Sequence, residues 1–581
     1  MIDAAPLSRA RLRIVLPAGL FLLALLLRLA GIGWGLKNDL HNSSYHPDEP
    51  VIWAYSQAIE PSKLNFTPRF YNYGTLYLTV LKVASDMTAA YTGGPDPKNE
   101  EASWDYVSRS HMAGRLINAL AGSGTVLIVF LILRRFVGDV GASAGGLALA
   151  VAPAHVVHSR FQTVDIFAAF LLSISIFYAL RLLGNASAEE EANKKSPIKD
   201  PVTRDAILSG IFAGLSAGTK YTGILGLIVL LIVLGMRHRP RLIRDGLLGV
   251  LTCIVAFVVA TPGAVLDTAK FKEGVLFEMA HTATGHGIVF AGTSSGYIYH
   301  IGNLINGIGF LIVLTGLAGL AYAAYRRHVW AIALLAFFLV YYFMIGGATD
   351  KYMRYTFPLY PAIAVGFGYA VAVGHRRQGS GRILVALGIL GLGGADMRGL
   401  IGAVRNTGYM LESDPRDTAA KYFKEKPNSV VGLASDPWFW SPPLFKNSPS
   451  KLNMARLDEA GNVHPMGLVR DRLRELAATS APHGVYYLPP DGAHHPFDAR
   501  LITELKPDYI TYSTLESAPR ERLMGVTVGP PEAVAAGREY KEFTTALTAA
   551  YDLESTVGDP IDSVEDMQYI HPVVYIWKRK K

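Results

Sequence analysis

The run Ile14-Val15-Leu16-Pro17-Ala18-Gly19-Leu20-Phe21-Leu22-Leu23-Ala24-Leu25-Leu26-Leu27-Arg28-Leu29 continues to about Leu36 and gives way to Ser44-Tyr45-His46-Pro47-Asp48-Glu49-Pro50. Roughly 20 apolar residues match the hydrocarbon thickness of a bilayer. Arg9, Arg11 and Arg13 precede them, and the run is too long for a signal-peptide core and lacks a clear small-residue cleavage site. It therefore reads as a retained first span. Two adjacent carboxylates stand at its far end, where a membrane face meets water.

Further apolar stretches run approximately over 112–133, 139–157, 163–183, 205–219, 221–236, 246–262, 302–325, 329–346, 356–373 and 382–401. With the first they make about eleven spans. The short pair 205–219 and 221–236 reads as a tight hairpin with Lys220 at its turn, the alternative being one long tilted helix. Basic residues in short loops arbitrate, because such loops stay cytoplasmic. Arg134 and Arg135, the run Arg237 to Arg244, Arg326 and Arg327, and Arg376, Arg377 and Arg382 fall on the N-terminal side when the hairpin counts as two spans. The expected topology is a multi-pass protein of the plasma (inner) membrane, with its N-terminus cytoplasmic and its C-terminus outside. The Gly184 to Arg204 loop, with Glu189, Glu190, Glu191, Lys194 and Lys195, reads as a cytoplasmic linker.

The chain has 581 residues, of which 50% are hydrophobic and 18% charged. Its net charge of +8 resides in those short loops, which excludes a nucleic-acid face as its meaning. A single cysteine, Cys253, lies in an apolar run, so no intramolecular disulfide braces the chain. The predicted division is a transmembrane module, 1–404, with outer segments at 37–110 and 263–301, and a soluble outer domain, 405–581. Within the first outer segment, Tyr71-Asn72-Tyr73-Gly74-Thr75-Leu76-Tyr77-Leu78 opens an aromatic stretch that reads as an interfacial helix with tyrosines at headgroup depth, the alternative being a true span, which would invert the later topology and which the basic-loop pattern argues against. In the outer domain, β-rich runs at Ser429 to Ala434, Gly484 to Leu488, Tyr509 to Ser513 and Val573 to Trp577 alternate with helical patterns at Pro415 to Lys426 and Val469 to Ala478. That alternation predicts an α/β domain.

Asp48-Glu49, the aromatic stretch 71–78, Arg115-Leu116-Ile117-Asn118-Ala119-Leu120, Pro153 through Ser159-Arg160-Phe161-Gln162-Thr163-Val164-Asp165, Gly210 to Lys220, and Arg354-Tyr355-Thr356-Phe357-Pro358-Leu359-Tyr360-Pro361 occur in this order. Together they resemble the polytopic GT-C glycosyltransferases, particularly protein O-mannosyltransferases and lipid A aminoarabinose transferases. The chain departs from the pattern at Asn72-Tyr73-Gly74-Thr75-Leu76, where the family often has His-Pro-Pro-Leu. The resemblance implies a GT-C-like α-helical membrane fold and an inverting transferase. Its donor is a sugar on a polyprenyl-phosphate carrier, and its acceptor is a hydroxyl of unread identity: protein, lipid or glycan. The other partners expected are membrane lipids, and no nucleic acid.

That chemistry needs a base for the acceptor proton and cations for the leaving phosphate. Asp48 is the base the resemblance implies, with Glu49 as a supporting or alternative carboxylate and Asp165 as a third acid at the same depth. On residues alone, Asp48 reads equally as a helix cap. Lys220 and Arg354, with Tyr355 and Tyr73 beside them, are the donor-phosphate candidates, against snorkelling to lipid headgroups. His46, His281 and His286 are candidate acceptor or loop contacts, the last two in or beside a glycine-rich loop, Gly285 to Gly296, that reads as a substrate cover. His46, Asp48 and Glu49 are competent ligands for a divalent ion, but they complete no ligand set, so no metal or other cofactor is assigned. Arg28, inside an apolar run, is left without a role and lies within snorkelling reach of the outer end. Trp438 and Trp440 read either as core or as a sugar-stacking surface. The competing class is a transporter or flippase of a lipid-linked saccharide, which predicts mid-bilayer charges and internal repetition.

Overall fold

The computed structural model describes residues 9–581 apart from 97, 185–199, 286, 378–380, 436, 445, 447–483, 487–494 and 562–564. Helices α1 (Arg9–Leu29), α2 (Asp48–Ser56), α3 (Leu76–Thr92), α4 (Glu100–Val137), α5 (Asp139–Ala150), α6 (Pro153–His158) and α7 (Val164–Arg181) form the first half of a bundle. It continues through α8 (Pro201–Ala217), α9 (Gly226–Arg237), α10 (Leu242–Ala260), α11 (Gly263–Leu266), α12 (Thr268–Thr284), α13 (Gly296–Ile308), α14 (Phe310–Tyr325), α15 (Val329–Gly346), α16 (Tyr360–Arg376), α17 (Gly381–Gly393) and α18 (Gly399–Leu411). Local sequence sets the starts. The Asn99 side chain accepts the Ala102 N–H to cap α4, and Asp200 accepts the Val202 N–H with Pro201 in the first turn of α8.

Among the described residues, five helical segments are long and apolar enough to cross a membrane: Glu100–Val137, Val164–Gly184, Arg239–Ala260, Val329–Gly346 and Met353–Arg376. The pair α13 and α14 adds a sixth if taken as one span, bent by 110°. Ile14–Leu29, Tyr221–Arg237 and Gly381–Gly393 are shorter apolar helices. The expected continuous span 302–325 is therefore broken, at Gly309, whose φ of +117° favours glycine. The expected span 139–157 is also broken, because Pro153 starts a new helix after Ala152. The first helix stops at Leu29, and turns carry the chain on to Leu36.

Small residues set the helix spacing. An added methyl at Gly210, Gly214 or Gly218 would meet the Gly249 carbonyl, the Cys253 carbonyl and the Ala260 side chain respectively. The pairs advance together, so α8 and α10 run parallel at close approach. The chain between them must reverse, which is the hairpin geometry expected around Lys220. Helices α14 and α16 are likewise parallel, with Gly316 against Ile363 and Gly319 against Gly366.

The stretch 71–78 departs from its prediction. Helix begins only at Leu76, and Tyr71 and Tyr77 are buried in protein. Residues 71–76 instead dock on the hairpin turn. The Leu76 N–H donates to the Gly218 carbonyl at 2.9 Å, and the Tyr221 hydroxyl donates to the Tyr71 carbonyl at 2.6 Å.

The C-terminal part holds a five-stranded mixed sheet of order β2-β1-β3-β5-β4. Its strands are β1 (Val430–Leu433), β2 (Gly484–Tyr486), β3 (Tyr509–Ser513), β4 (Tyr551–Val557) and β5 (Val574–Arg579). Strands β2, β1 and β3 are parallel, while β5 pairs antiparallel with β3 and β4. Helices α19 (Pro415–Lys424), α20 (Thr514–Leu523), α21 (Pro531–Ala550) and α22 (Glu565–Gln568) accompany it. The expected helix Val469 to Ala478 and most of the linker Gly184 to Arg204 lie outside the described residues. A buried arginine ties this part to the bundle. Arg416 pairs with Asp414 at 2.7 Å, donates to the Phe439 and Tyr569 carbonyls, and stacks 3.8 Å from the Tyr45 ring centroid.

Candidate functional site

A cavity of about 570 Å³ opens where Pro47 and the start of α2, the loop at 70–73, helix α12, the segment 350–355 and the C-terminal part converge. That volume suits a small-molecule or sugar-sized group. Asp48, Tyr73, His281, Arg354 and Tyr355 from the sequence reading line it. Asp165 and Lys220 line a small recess that shares Arg354. His286 lies outside the described residues.

Asp48 stands at the first position of α2, after Pro47, and its side chain makes no cap hydrogen bond. The cap reading therefore fails. Its carboxylate, 31% exposed, faces the Arg354 guanidinium at 3.5 Å. The Asp48 N–H donates to His46 Nδ1 at 3.2 Å, which fixes the neutral His46 tautomer with its proton on Nε2. His46 is buried against Phe161 and Tyr569 and does not line the cavity. Burial outweighs its neighbouring carboxylates and pushes the imidazole down to about 4.

Glu49 points the other way. It is fully buried and accepts both Arg115 Nε at 2.8 Å and Arg115 Nη2 at 2.7 Å, with the Ser44 hydroxyl at 2.5 Å and the Gln162 N–H at 2.7 Å. Burial opposes its charge, but Arg115 wins and holds the carboxyl at about 2. Arg115 also donates to the Ile32 and Trp34 carbonyls, so one ion pair joins the end of α1, the start of α2, α4 and the 159–163 loop. His46, Asp48 and Glu49 thus do not converge on one ion. Among the described residues no group of three or more His, Cys, Asp or Glu side chains is placed to hold a metal.

Asp165 pairs with Lys220 at 2.5 Å, while Arg160 donates to the Leu27 carbonyl and the Thr407 hydroxyl. The Lys220 ammonium sits 4.5 Å from the Tyr355 ring centroid, and the Arg354 guanidinium 4.0 Å from that of Tyr352. Both cations thus have partners within the protein. So does Arg28, which is buried and donates to the Ala24 and Ala150 carbonyls, with His155 Nδ1 2.8 Å away. His281 lies 3.6 Å from Asp350 on the cavity wall.

Sequence reasoning missed the wall supplied from far along the chain. Glu278, Asp350, Arg522, Glu565 and Tyr569 all line the cavity. Behind it, Asp566 accepts the Met353 and Arg354 N–H groups. Only the tertiary fold brings residues after 510 to a site begun at Pro47, and no local motif signals it. Trp438 and Trp440 do line the cavity, with ring centroids 4.7 Å apart. Val289 of the glycine-rich loop lines it as well, and Arg522 donates to the Val289 and Ala291 carbonyls.

Residues 86–266 match the sequence model of the dolichyl-phosphate-mannose-protein mannosyltransferase family. That stretch includes Arg115, Asp165 and Lys220 but neither Asp48 nor Arg354. No curated protein matches the chain. In fold the chain is similar to ArnT from Cupriavidus metallidurans, solved bound to undecaprenyl phosphate, with a TM-score of 0.50, 14% identity and 98% of each chain covered. It is also similar to the oligosaccharyltransferase AglB from Archaeoglobus fulgidus, solved with an inhibitory peptide and a dolichol-phosphate. There the TM-score is 0.52 and the identity 12%, over 94% of this chain and 73% of that one. The chain is thus a multi-pass membrane protein that resembles the GT-C glycosyltransferases, in fold over nearly its whole length and in sequence over residues 86–266.

Proposed function

We propose that this protein is an inverting glycosyltransferase that moves a sugar from a polyprenyl-phosphate carrier to an acceptor hydroxyl on the extracytoplasmic face. The observation that carries this reading is one cavity holding a carboxylate, Asp48, against a guanidinium, Arg354, with Lys220 in the adjoining recess. Asp48 takes the acceptor proton as the acceptor oxygen bonds to the anomeric carbon. The bond from that carbon to the phosphate oxygen breaks, and the electron pair leaves with the polyprenyl phosphate. Arg354 and Lys220 neutralise the charge that develops there, work that preorganised cations perform best in a site shielded from water.

In this reading Tyr355 and Tyr73 flank the donor. Asp165 orients Lys220, and Glu49 acts through Arg115 to hold α2 in place. The carrier preference is supported by the undecaprenyl phosphate bound to ArnT and the dolichol-phosphate bound to AglB. The same reading keeps eleven spans in the inner membrane, a cytoplasmic N-terminus, and the division into a membrane module, 1–404, and an outer domain, 405–581.

The test is release of polyprenyl phosphate from a panel of polyprenyl-phosphate sugars by purified protein in nanodiscs, with a membrane extract supplying acceptors. Release from one or a few donors, with the anomeric centre inverted in the product, is the expected result. No release from any donor, or a product of retained configuration, contradicts it.

A further inference from the structure

Arg354 is gripped from behind as well as from the cavity. Asp566 is fully buried, and its two carboxylate oxygens accept the Met353 and Arg354 N–H groups, each at 3.1 Å. Those groups open the 3₁₀ turn Met353–Leu359, whose first N–H groups have no partner within the turn. The same carboxylate lies 3.9 Å from Arg354 Nη1 and 3.8 Å from His158 Nε2. Tyr569, three residues on, lines the cavity together with Arg354. Arg354 Nη1 is buried and, among the described residues, makes no hydrogen bond. One carboxylate from α22 thus holds the backbone that carries the guanidinium and lies behind its Nη1 group.

We propose that Asp566 is a positioning residue through which the C-terminal part of the chain holds Arg354 at the donor phosphate. This rests on the reading of Arg354 as a phosphate-binding cation. Asp566→Asn keeps one acceptor oxygen for the two N–H groups, turns an amide NH2, which cannot accept, toward the other, and removes the charge behind the guanidinium. The arginine is then less well placed for the phosphate.

The experiment is a double-mutant cycle in the full-length protein in nanodiscs, with steady-state kinetics on both substrates. Asp566→Asn is expected to raise the donor KM about tenfold, as loss of a charged hydrogen-bond acceptor does, and to leave the acceptor KM unchanged. Added to Arg354→Ala it is expected to have no further effect on the donor. Hydrogen exchange at the Met353 and Arg354 amides should quicken in the single Asp566 variant. A donor KM equal to wild type in Asp566→Asn, or full additivity with Arg354→Ala, overturns the proposal. If Arg354→Ala itself leaves the donor KM unchanged, the phosphate reading falls and this inference with it. Quickened exchange in Asp566→Asn would then show that the anchoring contact alone was correct. Should Asp566→Asn fail to accumulate, Asp566→Glu, which keeps the charge one methylene away, carries the same cycle.

Discussion

A peptide bond separates Asp48 from Glu49, yet one carboxylate faces the cavity and the other lies buried on Arg115. Adjacent residues in the first turn of a helix point about 100° apart, and here the difference separates the cavity-facing carboxylate, the proposed base, from the one buried on an arginine. Removing either partner of the buried pair leaves an uncompensated charge. Arg115→Ala should therefore lower unfolding stability by about 3–5 kcal/mol, read as the thermal midpoint in detergent. An unchanged midpoint would mean the pair holds nothing together. His46 gives a pH signature. Its folded value is depressed, so the neutral ring contributes stability that is complete above its ordinary 6.5 and is lost as pH falls through 6.5 toward 4. At 1.36 kcal/mol per pH unit that window is worth about 3 kcal/mol. His46→Asn, which keeps an acceptor for the Asp48 N–H, should flatten the fall of the midpoint between pH 6.5 and 4.

At the scale of elements, the site depends on the coil 71–76 lying against the turn between α8 and α9. A methyl added at Gly74 would sit 2.1 Å from the Gly218 carbonyl oxygen. Gly74→Ala should push the two segments apart, cost about 1–3 kcal/mol, and raise the donor KM through Tyr73 and Lys220. Wild-type stability and kinetics in that variant would contradict the docking. The departure from His-Pro-Pro-Leu at this stretch thus coincides with a backbone contact that only glycine permits. The hairpin around Lys220 was legible because basic loops carry topology. So was strand β3, whose β-branched and aromatic run is bounded by Pro507-Asp508 and by the helix that follows. Strand β4 was not. Its Asp552, Glu554 and Thr556 are exposed on a sheet edge, and the polar pattern hides it. Nor was the burial of Tyr71 and Tyr77, since aromatic residues next to a span suit a headgroup layer and a protein core equally well.

For the whole molecule, the sequence order of the GT-C-like segments survives folding as a spatial cluster. Residues 48, 73, 165, 220 and 354 end within two adjoining pockets. The closing wall from α20 and α22 was invisible in the sequence because contacts across hundreds of residues leave no local period. Orientation is testable with a Cys253→Ser background. Cysteine at exposed Thr556 should react with a membrane-impermeant maleimide in intact cells, and cysteine at exposed Arg377 only after permeabilisation. The reverse pattern would invert the topology and put the cavity on the cytoplasmic side. The most direct measurement is the single-turnover rate of sugar transfer by wild type and Asp48→Asn, alongside donor binding by both. Loss of a general base predicts a rate reduced by about 10²–10⁴ with donor affinity retained. A folded Asp48→Asn protein that transfers sugar at the wild-type rate would contradict the mechanism.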